Sequence, residues 1–270
     1  MEIKISLTLF HQNDPQTMKN LLGSICFLFT FSFVAAQTSD DFKGETVHFN
    51  ASDGLEITAD LYMAHEASAP FIILYHQAGY SRGEYLSIAP KLNAMGFNCL
   101  AVDQRSGNQV NNVVNQTNKE AQKQNKPTEY LDALADIEAA YLYVKHGIKP
   151  DNLILWGSSY SAAIMFYMGS AHHHNLSGIL AFAPGEYFKI NGKEIKSFAS
   201  RVTVPVFVTS AKSEYDNWKS IYANVKSKKS FFLPDTEGKH GSKALWESNP
   251  SQAAYWAAVK DFLNQFISKT

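Results

Sequence analysis

A serine hydroxyl attacks a carbonyl only when a base takes its proton, an acid orients that base, and hydrogen-bond donors receive the developing oxyanion. Gly157-Ser158-Ser159-Tyr160-Ser161 is the stretch of this chain suited to supply the nucleophile. It follows the apolar run Leu153-Ile154-Leu155-Trp156 and precedes Ala162-Ala163-Ile164, so it reads as a strand, a turn of small residues and a helix start. This is the G-x-S-x-G pattern of a nucleophile elbow, whose central serine sits on a strained strand-to-helix turn. Ser161 stands where the last glycine belongs. It is small enough for strand and helix to pass closely, provided that its side chain points away from the strand. A turn with no chemistry would satisfy the same five residues, so the decision rests on partners elsewhere in the chain.

In open α/β sheets reactive groups collect at the carboxyl ends of strands. Past an apolar run at 204–209 comes Ser210-Ala211-Lys212-Ser213-Glu214-Tyr215-Asp216. Glu214 has the spacing of an orienting acid; Asp216 is the alternative, and Glu186 a third choice. Either Glu214 or Asp216 would also suit the first turn of the helix that starts there. Past the run at 230–233, His240-Gly241 places an imidazole where a general base belongs. Past 71–75, His76-Gln77-Ala78-Gly79-Tyr80 is positioned to give an oxyanion donor, the N–H of Gln77, with the N–H of Tyr160 as the second. His76 reads as a structural residue shaping this loop, because the base is expected late in the chain. His76, Arg105, Glu186 and Tyr187 are also candidates for substrate contact, as are Asn108, Asn112 and Phe188.

The elements that position these residues follow from periodicity. Alternating runs at 45–50 and 55–63 flank Ser52-Asp53-Gly54, a hairpin signal. Phe71-Ile72-Ile73-Leu74-Tyr75 reads as a buried parallel strand. A helix is expected from about Gly83 to a stop at Gly96, then a strand over 97–102. The stretch 104–127, rich in Asn and Gln, reads as a long connection with most of its polar side chains in water. A helix-period face from Thr128 through Val144 follows, then strand and helix around Ser159. Strands at 177–183, 204–209 and 230–233 and helices at 215–225 and 251–267 complete the order. A hairpin followed by repeated strand–helix units predicts a mostly parallel sheet with helices on both faces. The short connection between the strands at 177–183 and 204–209 leaves no room for a large lid.

With Ser159, Glu214 and His240 in that order, the chain resembles the α/β-hydrolase superfamily from about residue 45 to 267. It is most similar to small dienelactone-hydrolase-like and esterase-like members. The stretches that carry the resemblance are Phe71 through Gly79 and Asn98-Cys99-Leu100-Ala101-Val102-Asp103-Gln104-Arg105. True dienelactone hydrolases carry a Cys nucleophile where Ser159 stands here. The resemblance implies an α/β-hydrolase fold over 37–270 and a serine hydrolase cleaving an ester through an acyl-enzyme, with no metal or cofactor. A peptidase or thioesterase needs the same triad, and a binding protein on the same scaffold would leave it idle.

Composition sets the bounds. The chain has 270 residues, 45% of them hydrophobic, with a formal net charge of −1, so bulk charge favours neither nucleic acid nor an anionic membrane. Met18-Lys19-Asn20, an apolar run at 21–34 and Ala35-Ala36-Gln37 have the order of a signal peptide, with cleavage after Ala36 and a start at Met18. The expected protein is periplasmic or secreted, acts on a small-molecule acyl substrate, and keeps no membrane insertion after cleavage. Of its two cysteines, Cys26 falls in the leader, and Cys99 reads as a buried strand residue. His172-His173-His174 reads as an exposed helix end, since consecutive residues do not converge on one ion. Sequons at Asn50, Asn115 and Asn175 read as chance matches.

Overall fold

β1 (Glu45–Asn50) and β2 (Glu56–Tyr62) pair antiparallel around Asp53-Gly54, with Gly54 at φ 81° making the turn. A computed structural model describes residues 44–267; the leader expected over 1–36, with Cys26, lies outside the described residues. After the hairpin come β3 (Phe71–Tyr75), α1 (Ala89–Ala94) and β4 (Asn98–Val102), then a small ribbon of β5 (Gln109–Val110) and β6 (Val113–Val114). They are followed by α2 (Gln116–Lys123), α3 (Leu134–Tyr143), β7 (Leu153–Ser158), α4 (Tyr160–Ala171) and β8 (Gly178–Phe182). The last third holds α5 (Ile195–Ala199), β9 (Val206–Thr209), α6 (Tyr215–Asn224), β10 (Lys229–Phe232) and α7 (Gln252–Leu263).

Eight strands form one sheet in the order β1-β2-β4-β3-β7-β8-β9-β10. The hairpin joins it antiparallel through β2 and β4, and every pair from β4 to β10 is parallel. Strands β3, β4, β7, β8 and β9 are buried at every position, as their unbroken apolar runs require of strands covered on both faces. Alternation sorts their side chains. Phe71, Ile73 and Tyr75 join a core with α3, α4, α5 and α6, while Ile72 and Leu74 face the opposite core with α1 and α7. Trp156 is in this second core, stacked on Phe182 at 4.6 Å. Cys99 is fully buried on β4. From β3 the chain turns to β4 on one side and later returns to β7 on the other. The loops leaving β3 and β7 therefore diverge and open a crevice at their carboxyl ends.

Three expectations need correction. The helix from Gly83 is broken: a 3-10 turn covers Arg82–Tyr85, and α1 starts only at Ala89 with Pro90 in its first turn, where the missing N–H costs nothing. The stretch 104–127 is structured. Asn111 and Asn112 take φ 49° and 61°, the two positive values of a tight hairpin turn, and Asn115 caps α2 by accepting the N–H of Asn118 at 2.7 Å. The third helix starts at Leu134, not Thr128, which leaves Tyr130 and Leu131 exposed. Between β8 and β9 the only helix is the five-residue α5, so no lid domain is present. Among the described residues no helix is long and apolar enough to cross a membrane.

Candidate active site

Ser159 sits between β7 and α4 at φ 60°, ψ −121°. A non-glycine residue there costs about 1–3 kcal/mol and persists only where its surroundings enforce it. They do so here. Its N–H donates to the carbonyl of Phe182 at 2.7 Å, and its carbonyl accepts the N–H of Ala163 at 3.2 Å. A Cβ on Gly157 would lie 2.5 Å from the amide nitrogen of Ala162, so strand and helix pass as closely as the elbow pattern demands. The Ser161 hydroxyl turns to the loop after β3, donating to the carbonyl of His76 at 2.7 Å and accepting from Gln104 Nε2 at 2.6 Å. It therefore substitutes for glycine without widening the elbow. Tyr160 is the first residue of α4, and its N–H is among those that a helix cannot pair.

His240 and Glu214 meet: Nδ1 of the imidazole faces Oε1 of the carboxylate. The other oxygen, Oε2, accepts the N–H of Ala211 at 3.0 Å, so the acid also closes its own turn. Both residues are partly buried, with side chains 31% and 20% exposed, low enough for their mutual field to escape full screening. Asp216, the alternative acid, points into solvent and pairs with Lys219 at 2.7 Å. The loop of His240 is bolted to the elbow two residues beyond His240 and one residue before Ser159. The N–H of Ser242 donates to the hydroxyl of Ser158 at 2.9 Å. Gly241, at φ 67°, leaves no room for a Cβ, which would lie 2.5 Å from that hydroxyl.

The loop after β3, expected to supply an oxyanion donor, departs from expectation at one atom. The N–H of Gln77 is committed to the carboxylate of Glu84 at 2.8 Å and is not free to meet a substrate. Among the described residues, the N–H of Ala78, next along the loop, has no partner. His76 is fully buried, so it does not contact substrate; it shapes the loop. Its Nδ1 donates to the carbonyl of Gln77 at 2.8 Å and its Nε2 accepts the N–H of Gln104 at 2.9 Å. Burial pushes its titration down to about 4, so the ring is neutral at physiological pH.

Two further substrate candidates are used elsewhere. Arg105 is 2% exposed and lies between Asp53 and Asp136, at 2.8 and 2.7 Å. Glu186 accepts the N–H groups of Ile195 and Lys196 at 2.5 and 2.8 Å and so caps α5. Asn108 and Asn112 are exposed on the ribbon. Much of the polar stretch after β4 is buried instead of solvated: Gln104, Arg105, Ser106, Asn115, Thr117 and Asn118 satisfy one another and the loops beside them. Gln104 is the hub. Its amide binds the N–H of His76 at 2.9 Å and the hydroxyls of Tyr160 and Ser161 at 2.7 and 2.6 Å. In the His172–His174 run, His172 is half-buried against Glu138, and no metal-ligating cluster occurs among the described residues.

Aromatic side chains rim the serine. Tyr187 donates its hydroxyl to the carbonyl of Ala183 at 2.8 Å, close to the side chain of Ser159. Burial pushes its phenol up to about 12, which keeps it a donor at neutral pH. Tyr130 stacks on Tyr160 with ring centroids 4.9 Å apart, and Phe188 meets Tyr130 edge-on at 6.3 Å. Tyr130 and Tyr187 are each 41% exposed, so this rim offers aromatic faces to an incoming molecule. Periodicity hid Tyr130 in an expected helix.

No protein-family model matches the chain, and no curated protein matches its sequence. Solved structures do. The esterase Pf2001 of Pyrococcus furiosus superposes with a TM-score of 0.62 at 13% identity, over 85% of this chain and 92% of its own. A dienelactone hydrolase from Anabaena variabilis gives 0.64 at 10% identity, over 84% and 100%. Est1E from Butyrivibrio proteoclasticus gives 0.60 at 15%, also over 84% and 100%. The chain has the α/β-hydrolase fold, with structural neighbours among esterases and dienelactone hydrolase.

Proposed function

We propose that this protein is an exported serine hydrolase that cleaves a carboxylic ester through an acyl-enzyme. The observation that carries the reading is the His240–Glu214 pair, with the loop of His240 hydrogen-bonded to an elbow that strains Ser159. In the proposed reaction Ser159 Oγ attacks the ester carbonyl while His240 Nε2 takes its proton. Glu214 holds Nδ1 and stabilises the imidazolium. The oxyanion is received by the N–H groups of Ala78 and Tyr160, the latter at the positive end of α4. Collapse breaks the bond to the alcohol, which leaves with the proton from His240. Water then repeats the sequence on the acyl-enzyme, releasing the acid and free Ser159. No cofactor enters these steps. The leader-like order over 18–36 supports export.

A fluorophosphonate probe tests the reading most directly. It is expected to label the folded protein at Ser159, with labelling abolished in Ser159→Ala; no labelling of folded wild-type protein would sink the proposal. The aromatic rim supports a flat substituent next to the scissile bond. Tyr130→Ala is expected to raise KM for esters carrying an aromatic group about 3- to 10-fold with little change in kcat, the loss of one ring-stacking interaction. Esters of short aliphatic groups are expected to change less, and equal effects on both series would remove the rim from specificity.

A further inference from the structure

We propose that Glu84 is a positioning residue for acyl transfer: an ionised carboxylate that holds the oxyanion loop, the elbow and the base loop in one register. The proposal rests on the serine hydrolase reading. Glu84 is fully buried. Its Oε2 accepts the N–H of Gln77 at 2.8 Å, one residue before the free N–H of Ala78. Its Oε1 accepts the hydroxyl of Ser158 at 2.8 Å, one residue before the nucleophile. That same hydroxyl accepts the N–H of Ser242 at 2.9 Å, two residues beyond His240. Trp246 Nε1 donates to the carbonyl of Glu84 at 2.9 Å and pins the turn itself. One side chain thus ties the three loops that carry the proposed donor, nucleophile and base.

The chemistry of these partners sets the protonation state that works. Both oxygens receive donors, so the network is complete with the carboxylate charged. A proton on Oε1 would force the Ser158 hydroxyl to turn and compete with its bond from Ser242. The titratable groups that face Glu84 are Tyr85 on its own turn, Tyr80 on the oxyanion loop and His240 on the base loop. Among the described residues, neither lysine nor arginine pairs with it. A buried carboxylate without a cation is a poor device for stability. It suits a site where a positive charge appears on His240 during the reaction. Burial pushes its carboxyl up to about 7, against the pull of its hydrogen bonds.

The test compares wild-type protein with Glu84→Gln, which keeps shape and removes charge. The variant is expected to keep KM within about two-fold and to lose about 10- to 100-fold in kcat. The acid limb of log kcat against pH is expected to rise with two ionisations in wild type and with one in the variant. Stability gives a readout independent of turnover. A folded-state carboxyl raised from 4.5 to about 7 binds a proton that the unfolded chain has released, so wild-type stability falls as pH rises across that window. The Gln variant lacks this loss, so its melting temperature is expected to gain on wild type between about pH 5 and 8. Should Glu84→Gln not fold, Ser158→Ala cuts the same tie and is expected to lower kcat at least about five-fold with both ionisations kept. An active wild type matched by Glu84→Gln in kcat and in limb slope, or by Ser158→Ala in kcat, overturns the inference. A wild type that neither turns over acyl substrates nor takes the fluorophosphonate overturns the functional reading instead.

Discussion

Ser159→Ala and His240→Ala are each expected to lower kcat about 10⁴- to 10⁶-fold, and the double variant no further, because the proposed nucleophile and base would act as one unit. Glu214→Gln is expected to lose about 10²- to 10⁴-fold: an amide can present its N–H to Nδ1 and favour the wrong tautomer, while the oxyanion donors remain. KM should move little in all of them, since none is expected to hold the substrate in its ground state. The elbow adds a stability signature to this series. Ser159 stands at φ 60°, where alanine is as strained as serine but glycine is not. Ser159→Gly is therefore expected to be as inactive as Ser159→Ala yet to melt several degrees higher, by relief of about 1–3 kcal/mol. Steady-state kinetics and thermal melts on the five variants check both parts. Additive losses in the double variant, or Ser159→Gly melting below Ser159→Ala, would contradict the arrangement.

The features that sequence reading recovered share a physical basis in local pattern. The strand run Phe71-Ile72-Ile73-Leu74-Tyr75 is apolar at every position because both faces are covered. Glu214 and His240 stand a short loop beyond strands that end at Thr209 and Phe232, and the fold brings their side chains into contact. What escaped depends on pairings far apart in sequence. Which backbone N–H is free in the loop after β3 is decided by Glu84, whose carboxylate occupies Gln77 and leaves Ala78. In the sequence Glu84 looks like any acidic residue in a first helical turn; only folding shows that Ser158 and Gln77 surround it. The Asn- and Gln-rich stretch after β4 misleads for a related reason. Polar side chains imply water until partners of equal polarity are found inside, as Gln104 finds Tyr160, Ser161 and His76. Two local signals were present and passed over. Asn111-Asn112 is a turn pair that tolerates the left-handed region, and Pro90 marks a helix start.

Arg105→Met is expected to destabilise the protein by about 3–5 kcal/mol, the cost of leaving a buried charge without its partner. Arg105 holds Asp136 with Nη2 at 2.7 Å and Nε at 3.0 and 3.1 Å, and its own N–H donates to the same carboxylate at 2.8 Å. Asp136 has no exposed surface, and burial already pushes its carboxyl up to about 6 against the pull of Arg105. Without the guanidinium it must rise further. A folded-state carboxyl raised above its unfolded value takes up a proton as pH falls, so the variant regains stability on acidification sooner than wild type does. The deficit is therefore expected to be largest near pH 8 and to narrow towards about pH 5, and replacing the pair together, as Arg105→Met with Asp136→Leu, is expected to recover most of the loss. Denaturant melts across that range measure all three outcomes. The same protein decides whether Arg105, a candidate for substrate contact from the sequence, ever met the substrate. Its guanidinium is spent on Asp53 and Asp136, so KM of the folded variant at low temperature is expected to match wild type. A KM raised ten-fold or more would return Arg105 to the binding site.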